Sequence, residues 1–267
     1  MSLDSRDTER RWGVRVERAG ALQEKHQTFA AALRLYQETL KFQRDVALSF
    51  HSCFKPEIPL RKQIDLSFAR SKMPSLLAVA RKNGPNALRE RATNLQSVGE
   101  TVWSRMFEAA VSSDGVHESD IDDFFVRACL QPMAEILQSQ MSVDRNYSKS
   151  VCPACGALPQ LAILRPEGEG ASRYLQCSFC LREWLFRRIV CPFCGEEDKE
   201  NLPRYSAEQC DYVHVEGCDA CMHYLKAVDM NIDGHAVPLI DEAAMAVLDI
   251  WAGDHGYKKV VRNLVGF

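Results

Sequence analysis

Cys152-Pro153-Ala154-Cys155-Gly156, Cys177-Ser178-Phe179-Cys180, Cys191-Pro192-Phe193-Cys194-Gly195 and Cys218-Asp219-Ala220-Cys221 hold eight of the chain's 11 cysteines. Only Cys53, Cys129 and Cys210 stand alone. A Cys-x-x-Cys turn followed by glycine is a hairpin that aims two thiolates and nearby backbone N–H groups at one ion. Two such turns complete a tetrahedral sulfur site, with metal–sulfur distances of about 2.3 Å for zinc. The first and second pairs are 21 residues apart and the third and fourth 23, each gap long enough for about two short strands. The unit also repeats: Cys152 to Cys191 is 39 residues and Cys177 to Cys218 is 41. Sequential pairing therefore predicts one site of Cys152, Cys155, Cys177 and Cys180 and a second of Cys191, Cys194, Cys218 and Cys221. Spacing does not exclude the less favoured cross-braced arrangement, first pair with third.

Neither predicted site has a histidine or carboxylate at a ligand position, so both read as closed. Closed sites are structural or electron-transferring rather than hydrolytic. Zinc and a single iron fit four thiolates equally well. A thiol–disulfide enzyme would carry its dithiol on a βαβ frame, and no such pattern surrounds these pairs.

Outward from the cysteines the chain changes character near residue 150. Leu161–Leu164, Arg173–Gln176, Trp184–Val190, Tyr212–Val215 and Tyr224–Val228 read as short strands between Gly, Pro and acidic loops. After Pro238 a last helix is predicted from about Asp241 to Ala252, ended by Gly253 and Gly256. The first 150 residues read as helices. An apolar stripe of Leu22, Phe29, Leu33, Tyr36, Leu40, Ala47 and Phe50 predicts one long helix, stopped by Pro56 and Pro59. Further helices are predicted at about 60–72, 75–82 and 86–111. A final one follows the caps Ser119 and Asp120, with Pro132 expected to kink or split it. No phosphate loop or Ser-His-Asp arrangement appears in this half, which reads as a helical bundle with a solvated charged face.

Charge narrows the function classes. Residues 1–150 carry 22 Lys/Arg against 19 Asp/Glu, and residues 151–267 carry 11 against 17. Four thiolates around a divalent ion add −2 per site, so the cysteine-rich half would repel phosphate backbones. Arg182, Arg187, Arg188 and Arg204 are expected to offset thiolate charge rather than to read nucleic acid. No apolar run approaches a membrane span. Residues 1–11 hold no hydrophobic segment, so a cytoplasmic protein is expected, with no membrane insertion and no nucleic-acid partner.

The run Arg173-Tyr174-Leu175-Gln176-Cys177-Ser178-Phe179-Cys180, then Glu183-Trp184, then Arg188-Ile189-Val190-Cys191-Pro192-Phe193-Cys194, resembles the FdhE family of formate dehydrogenase accessory proteins. Glu216-Gly217-Cys218-Asp219-Ala220-Cys221 with Tyr224-Leu225-Lys226, and the closing helix around Leu248-Asp249, continue the resemblance. It is specific over about 151–267 and general over 1–150. It implies an α+β chain: a helical domain over 1–149, rubredoxin-like or zinc-ribbon modules over 150–189 and 190–235, and a C-terminal helix and tail over 236–267. It implies two bound metal ions, iron in the family, with all eight family cysteines present as ligands. It also implies a role in maturation of respiratory formate dehydrogenases, binding the molybdenum- and selenium-containing catalytic subunit in the cytoplasm before twin-arginine export, and no catalysis of its own. A rubredoxin-like electron-transfer protein and a nucleic-acid-binding double zinc ribbon are the alternatives. Met222 stands where the other modules' Gly156 and Gly195 follow their pairs.

The remaining candidates have plainer readings. Trp184 is expected to shield sulfur as a hydrophobic lid. His214, His223 and His235 lack ligand spacing and read as surface or partly buried histidines. Cys53, Cys129 and Cys210 read as small buried side chains, and Glu196–Glu200 as a solvated loop.

Overall fold

Helix breaks in the first half fall where backbone geometry, rather than apolar periodicity, decides. The structure, a computed structural model, describes residues 5–112, 121–144, 146–168, 170–207 and 210–266. Where the stripe predicts one helix over 22–50 there are two, α1 (Ser5–Lys25) and α2 (Ala30–Ser49). His26 (φ −110°, ψ 73°) and a 3₁₀ turn at Gln27–Phe29 separate them, and α1 packs along α2. The inner face of α1 carries Trp12, Ala19 and Leu22, but Arg15 stands in the same stripe and hides it from a purely apolar reading. Its guanidinium makes a two-pronged bond to Glu135, at 2.7 and 2.8 Å.

α3 (Leu66–Asn83) runs through Pro74, so the helices predicted at 60–72 and 75–82 are largely one. Asp65 starts it by accepting the Ser67 and Phe68 N–H groups, both at 2.9 Å. The stretch predicted over 86–111 is cut into α4 (Asn86–Val98) and α5 (Glu100–Ser112) at Gly99. Its φ of +71° suits a residue without a Cβ. α6 (Ile121–Ser139) continues through Pro132, and every residue from Phe124 to Gln138 is buried. The predicted caps Ser119 and Asp120 lie outside the described residues.

The second half forms one sheet rather than two separate ribbons. Its strands are β1 (Pro159–Glu167), β2 (Gly170–Cys177), β3 (Glu183–Leu185), β4 (Arg204–Ala207), β5 (Cys210–Cys218), β6 (His223–Asp229) and β7 (Lys258–Lys259). The order is β3-β2-β1-β6-β5-β4, with β7 also on β6. Within each module the pairing is antiparallel, as in β1–β2 and β5–β6. Between modules β1 and β6 run parallel, from Leu161 opposite Lys226 to Leu164 opposite Asp229. β4 and β7 have no counterpart among the predicted strands, and the run predicted over Trp184–Val190 is a strand only to Leu185.

The helix predicted from Asp241 to Ala252 is two, α7 (Pro238–Ala244) and α8 (Ala246–Asp254), broken at Met245. A buried lysine sits at the break. Lys226, fully enclosed in β6, donates to the Glu242 carbonyl and, at 3.3 Å, to that of Met245, oxygens that also accept the Met245 and Leu248 N–H groups. Glu242 and Asp249 surround the same nitrogen, and Lys259 bonds both carboxylates. Leu161, Ile163, Val213, Val215, Val228 and Ile240 fill the core around this group. The chain divides into two compact units: Met1–Ser142 with Phe179–Arg182 and Leu264–Gly266, and Val143–Ser178 with Glu183–Asn263.

Candidate metal centres

Each Cys-x-x-Cys pair sits on a tight turn whose fifth residue has left-handed backbone. Gly156 and Gly195 have φ of +76° and +82°, and Leu181 and Met222 occupy the same place at +58° and +55°. Two turns agree bond for bond. Gly156 N–H donates to the Cys152 carbonyl and Cys152 N–H to that of Ala157, at 2.9 and 2.8 Å. Gly195 and Cys191 repeat the pattern with the carbonyls of Cys191 and Glu196, at 3.0 and 2.8 Å. Ala154 and Phe193 each donate a backbone N–H to the preceding cysteine sulfur at 3.4 Å. Met222 N–H likewise donates to the Cys218 carbonyl at 2.8 Å. The left-handed residue lets the chain turn back while these N–H groups face sulfur, which favours thiolate.

The turns meet in sequence. Cys152, Cys155, Cys177 and Cys180 form one group and Cys191, Cys194, Cys218 and Cys221 another, with the sulfurs of each within 4.8 Å of one another. Cross-bracing is not what the chain adopts. Cys155 and Cys177 sulfurs are 3.4 Å apart, Cys191 and Cys221 3.8 Å, and Cys194 and Cys218 3.7 Å. Four sulfurs about 2.3 Å from one ion at tetrahedral angles would lie about 3.8 Å apart. The donor set and its spacing therefore fit a tetrahedral thiophilic ion in each group. Four protein sulfurs complete that coordination and leave no position for substrate.

The two groups differ in exposure. In the first, Cys177 and Cys180 are wholly buried and Cys152 nearly so. Trp184, also buried, donates its indole N–H to the Lys149 carbonyl at 3.1 Å. In the second, Cys194 is exposed at the tip of its turn. Phe193, 46% exposed, stacks on the His223 ring with centroids 3.9 Å apart. Burial pushes the Cys218 and Cys221 thiols up. It acts the same way on Cys194, but there the Glu196 N–H and the facing sulfurs outweigh it and bring the thiol below its ordinary value.

Other predicted positions divide. Cys129 and Cys210 are buried, and burial pushes the Cys129 thiol far up. Cys53 is exposed, contrary to its reading as a buried side chain: it lies in the irregular stretch after α2, where no core covers it. His214 is fully enclosed rather than at the surface. Its Nδ1 lies 2.9 Å from Arg204 Nη2, and its Nε2 lies 3.6 Å from Glu216. Glu216 also takes the Arg173 guanidinium at 2.7 and 3.0 Å. Burial opposes its charge, yet Arg173 and His214 hold its carboxyl down to about 2. Spacing does not reveal this pair. The left-handed roles of Leu181 and Met222 were legible only by aligning the turns on Gly156 and Gly195.

Fold and sites together define a class: a run of helices followed in the chain by two cysteine modules that share one sheet, each module with a closed four-sulfur group. Family comparison names the class. Residues 151–188 match the FdhE central domain and residues 189–265 the FdhE C-terminal domain. A protein FdhE homolog of Aquifex aeolicus (strain VF5) is 31% identical over 198 residues, covering 72% of this chain and 68% of that protein. A protein FdhE homolog of Proteus mirabilis (strain HI4320) is 24% identical over 240 residues, covering 86% and 78%. The crystal structure of the FdhE protein from Pseudomonas aeruginosa superposes with a TM-score of 0.74 and 24% identity, covering 97% of this chain and 96% of that one. This chain belongs to the FdhE family. Among the described residues no helix is long and apolar enough to cross a membrane.

Proposed function

We propose that this protein is an accessory factor for formate dehydrogenase maturation, binding the enzyme's catalytic subunit in the cytoplasm before export and turning over nothing itself. Family membership together with two closed four-sulfur groups supports this reading. On it, Cys152, Cys155, Cys177 and Cys180 hold one ion, and Cys191, Cys194, Cys218 and Cys221 a second, iron or zinc. The ions fix the turns and hold the modules in register. The modules at 150–189 and 190–235, with the tail at 236–267, present the partner-binding surface, and the helical domain at 1–149 supports them. No nucleic acid is part of this role, in keeping with the acidic balance of residues 151–267. The test is affinity isolation of tagged protein from cells, beside a deletion strain. Recovery of the catalytic subunit, with formate oxidation lost on deletion and not restored by cysteine variants, is expected. Intact formate oxidation in the deletion strain would remove the proposal.

Exposure of Cys194 favours one second reading, electron transfer through an iron ion in the second group. Four-thiolate ferric iron is red, whereas zinc is colourless. Colourless protein that restores formate oxidation excludes that reading.

A further inference from the structure

Beside the second sulfur group the sheet unit opens into a cavity of about 440 Å³, floored by Leu164, Leu225 and the Arg173–Glu216 pair. Leu202, Pro203 and Val260 line its walls, and Arg188, Lys199 and Arg204 stand among the lining residues. The charge here runs against its surroundings. Residues 151–267 carry 17 Asp/Glu against 11 Lys/Arg, whereas the cavity lining has four Lys/Arg against the single carboxylate Glu216 and the sulfurs of Cys191 and Cys218. That carboxylate is spent on Arg173, so the floor is neutral overall and largely apolar. Arg188 and Lys199 are exposed, and Arg188 donates to the Ala171 carbonyl at 3.3 Å. Arg204 is 47% exposed, 3.5 Å from Asp229. Ile189, half-exposed, extends the apolar lining outward.

We propose that this cavity binds an acidic peptide segment of a partner protein, an apolar side chain seated on Leu164 and Leu225 and flanking carboxylates held by Arg188, Lys199 and Arg204. Exposed cations complement anions, and the apolar surface of Leu164 and Leu225 complements an uncharged side chain. A phosphate-bearing ligand fits less well. It would bring its charge toward Glu216, and the glycine in the lining, Gly217, has its N–H bonded to the Pro203 carbonyl at 2.9 Å. The remaining role for these cations is to offset the thiolates of the neighbouring group. Charge reversal separates the two, because an offsetting cation acts on the metal and a docking cation acts on the peptide. The proposal does not depend on which protein is the partner.

The test uses the metal-loaded full chain against a displayed library of random octapeptides, beside the Arg188→Glu/Lys199→Glu variant. Enrichment of sequences with Asp or Glu around one apolar residue is expected, with affinity for the variant at least tenfold weaker and metal content unchanged. A Leu202→Trp variant, which fills the cavity and leaves its cations, should lose the same peptides. The proposal is overturned if no such peptides are enriched or if they bind both charge forms equally. It is also overturned if charge reversal releases metal without affecting peptide, or if pyrophosphate titrated into the protein binds in place of peptide.

Discussion

The two sulfur groups share a turn geometry and differ in what surrounds it. The first keeps three of its four cysteines buried, whereas the second leaves Cys194 in solvent and carries an exposed Phe193 beside it. Two copies of one motif thus serve as a sealed brace and an accessible edge. Parallel pairing of β1 with β6 lets them divide the work, since one sheet carries both. Neither module must fold alone, and each inherits the core packed on the other's strand.

Removing the sealed group should do the most damage. Cys152→Ala with Cys155→Ala forfeits an ion whose binding in structural sites contributes about 10–16 kcal/mol at neutral pH. The sheet unit should lose its cooperative unfolding transition while far-UV helicity remains, as circular dichroism during a urea titration will record. Loss of most helicity would contradict the independence of the helical unit.

Next comes the platform behind the accessible edge. Lys226→Met leaves the Glu242 and Asp249 carboxylates with Lys259 as their lysine, and removing one member of a buried ionic group typically costs about 3–5 kcal/mol. Because Cys221 lies just before β6, chelators should then strip the second ion faster while the first is little changed. Equal acceleration at both sites would show that the platform serves the whole sheet.

Asp65→Ala should cost the helical unit about 1 kcal/mol as a lost helix cap and leave both ions in place. The Ser67 hydroxyl and the Phe68 N–H hold the Asp65 carboxyl below its ordinary value. Its contribution is therefore complete above the unfolded value of about 4 and fades as pH falls through the lower folded one. Acid titrations of wild type and variant should converge at low pH. Smallest is Met222→Gly, which relieves a left-handed side chain at φ +55° and should stabilise the sheet unit by up to about 1 kcal/mol.

The cysteine spacing carried most of what was legible. It favoured sequential grouping without excluding cross-bracing and predicted about two strands per gap, while apolar periodicity predicted the helical first half. What remained hidden was non-local. Joining of the modules rests on β1 meeting β6, 65 residues apart in the chain, through backbone bonds that no side-chain pattern marks. At the Met245 break the carbonyls meet Lys226 from another element, and α1 escaped because Arg15 occupies a core position where Glu135 pairs with it. Pro132, expected to kink or split its helix, does not split it: it is buried within a continuing helix, where tertiary packing outweighs the lost hydrogen bond.

Metal content of the Cys191→Ala/Cys194→Ala protein tests the separateness of the two groups most directly. One ion per chain is expected, with Cys152, Cys155, Cys177 and Cys180 still closed to thiol reagents and Cys218 and Cys221 newly reactive. Loss of both ions, or reactivity at Cys177 and Cys180, would contradict two self-contained sites.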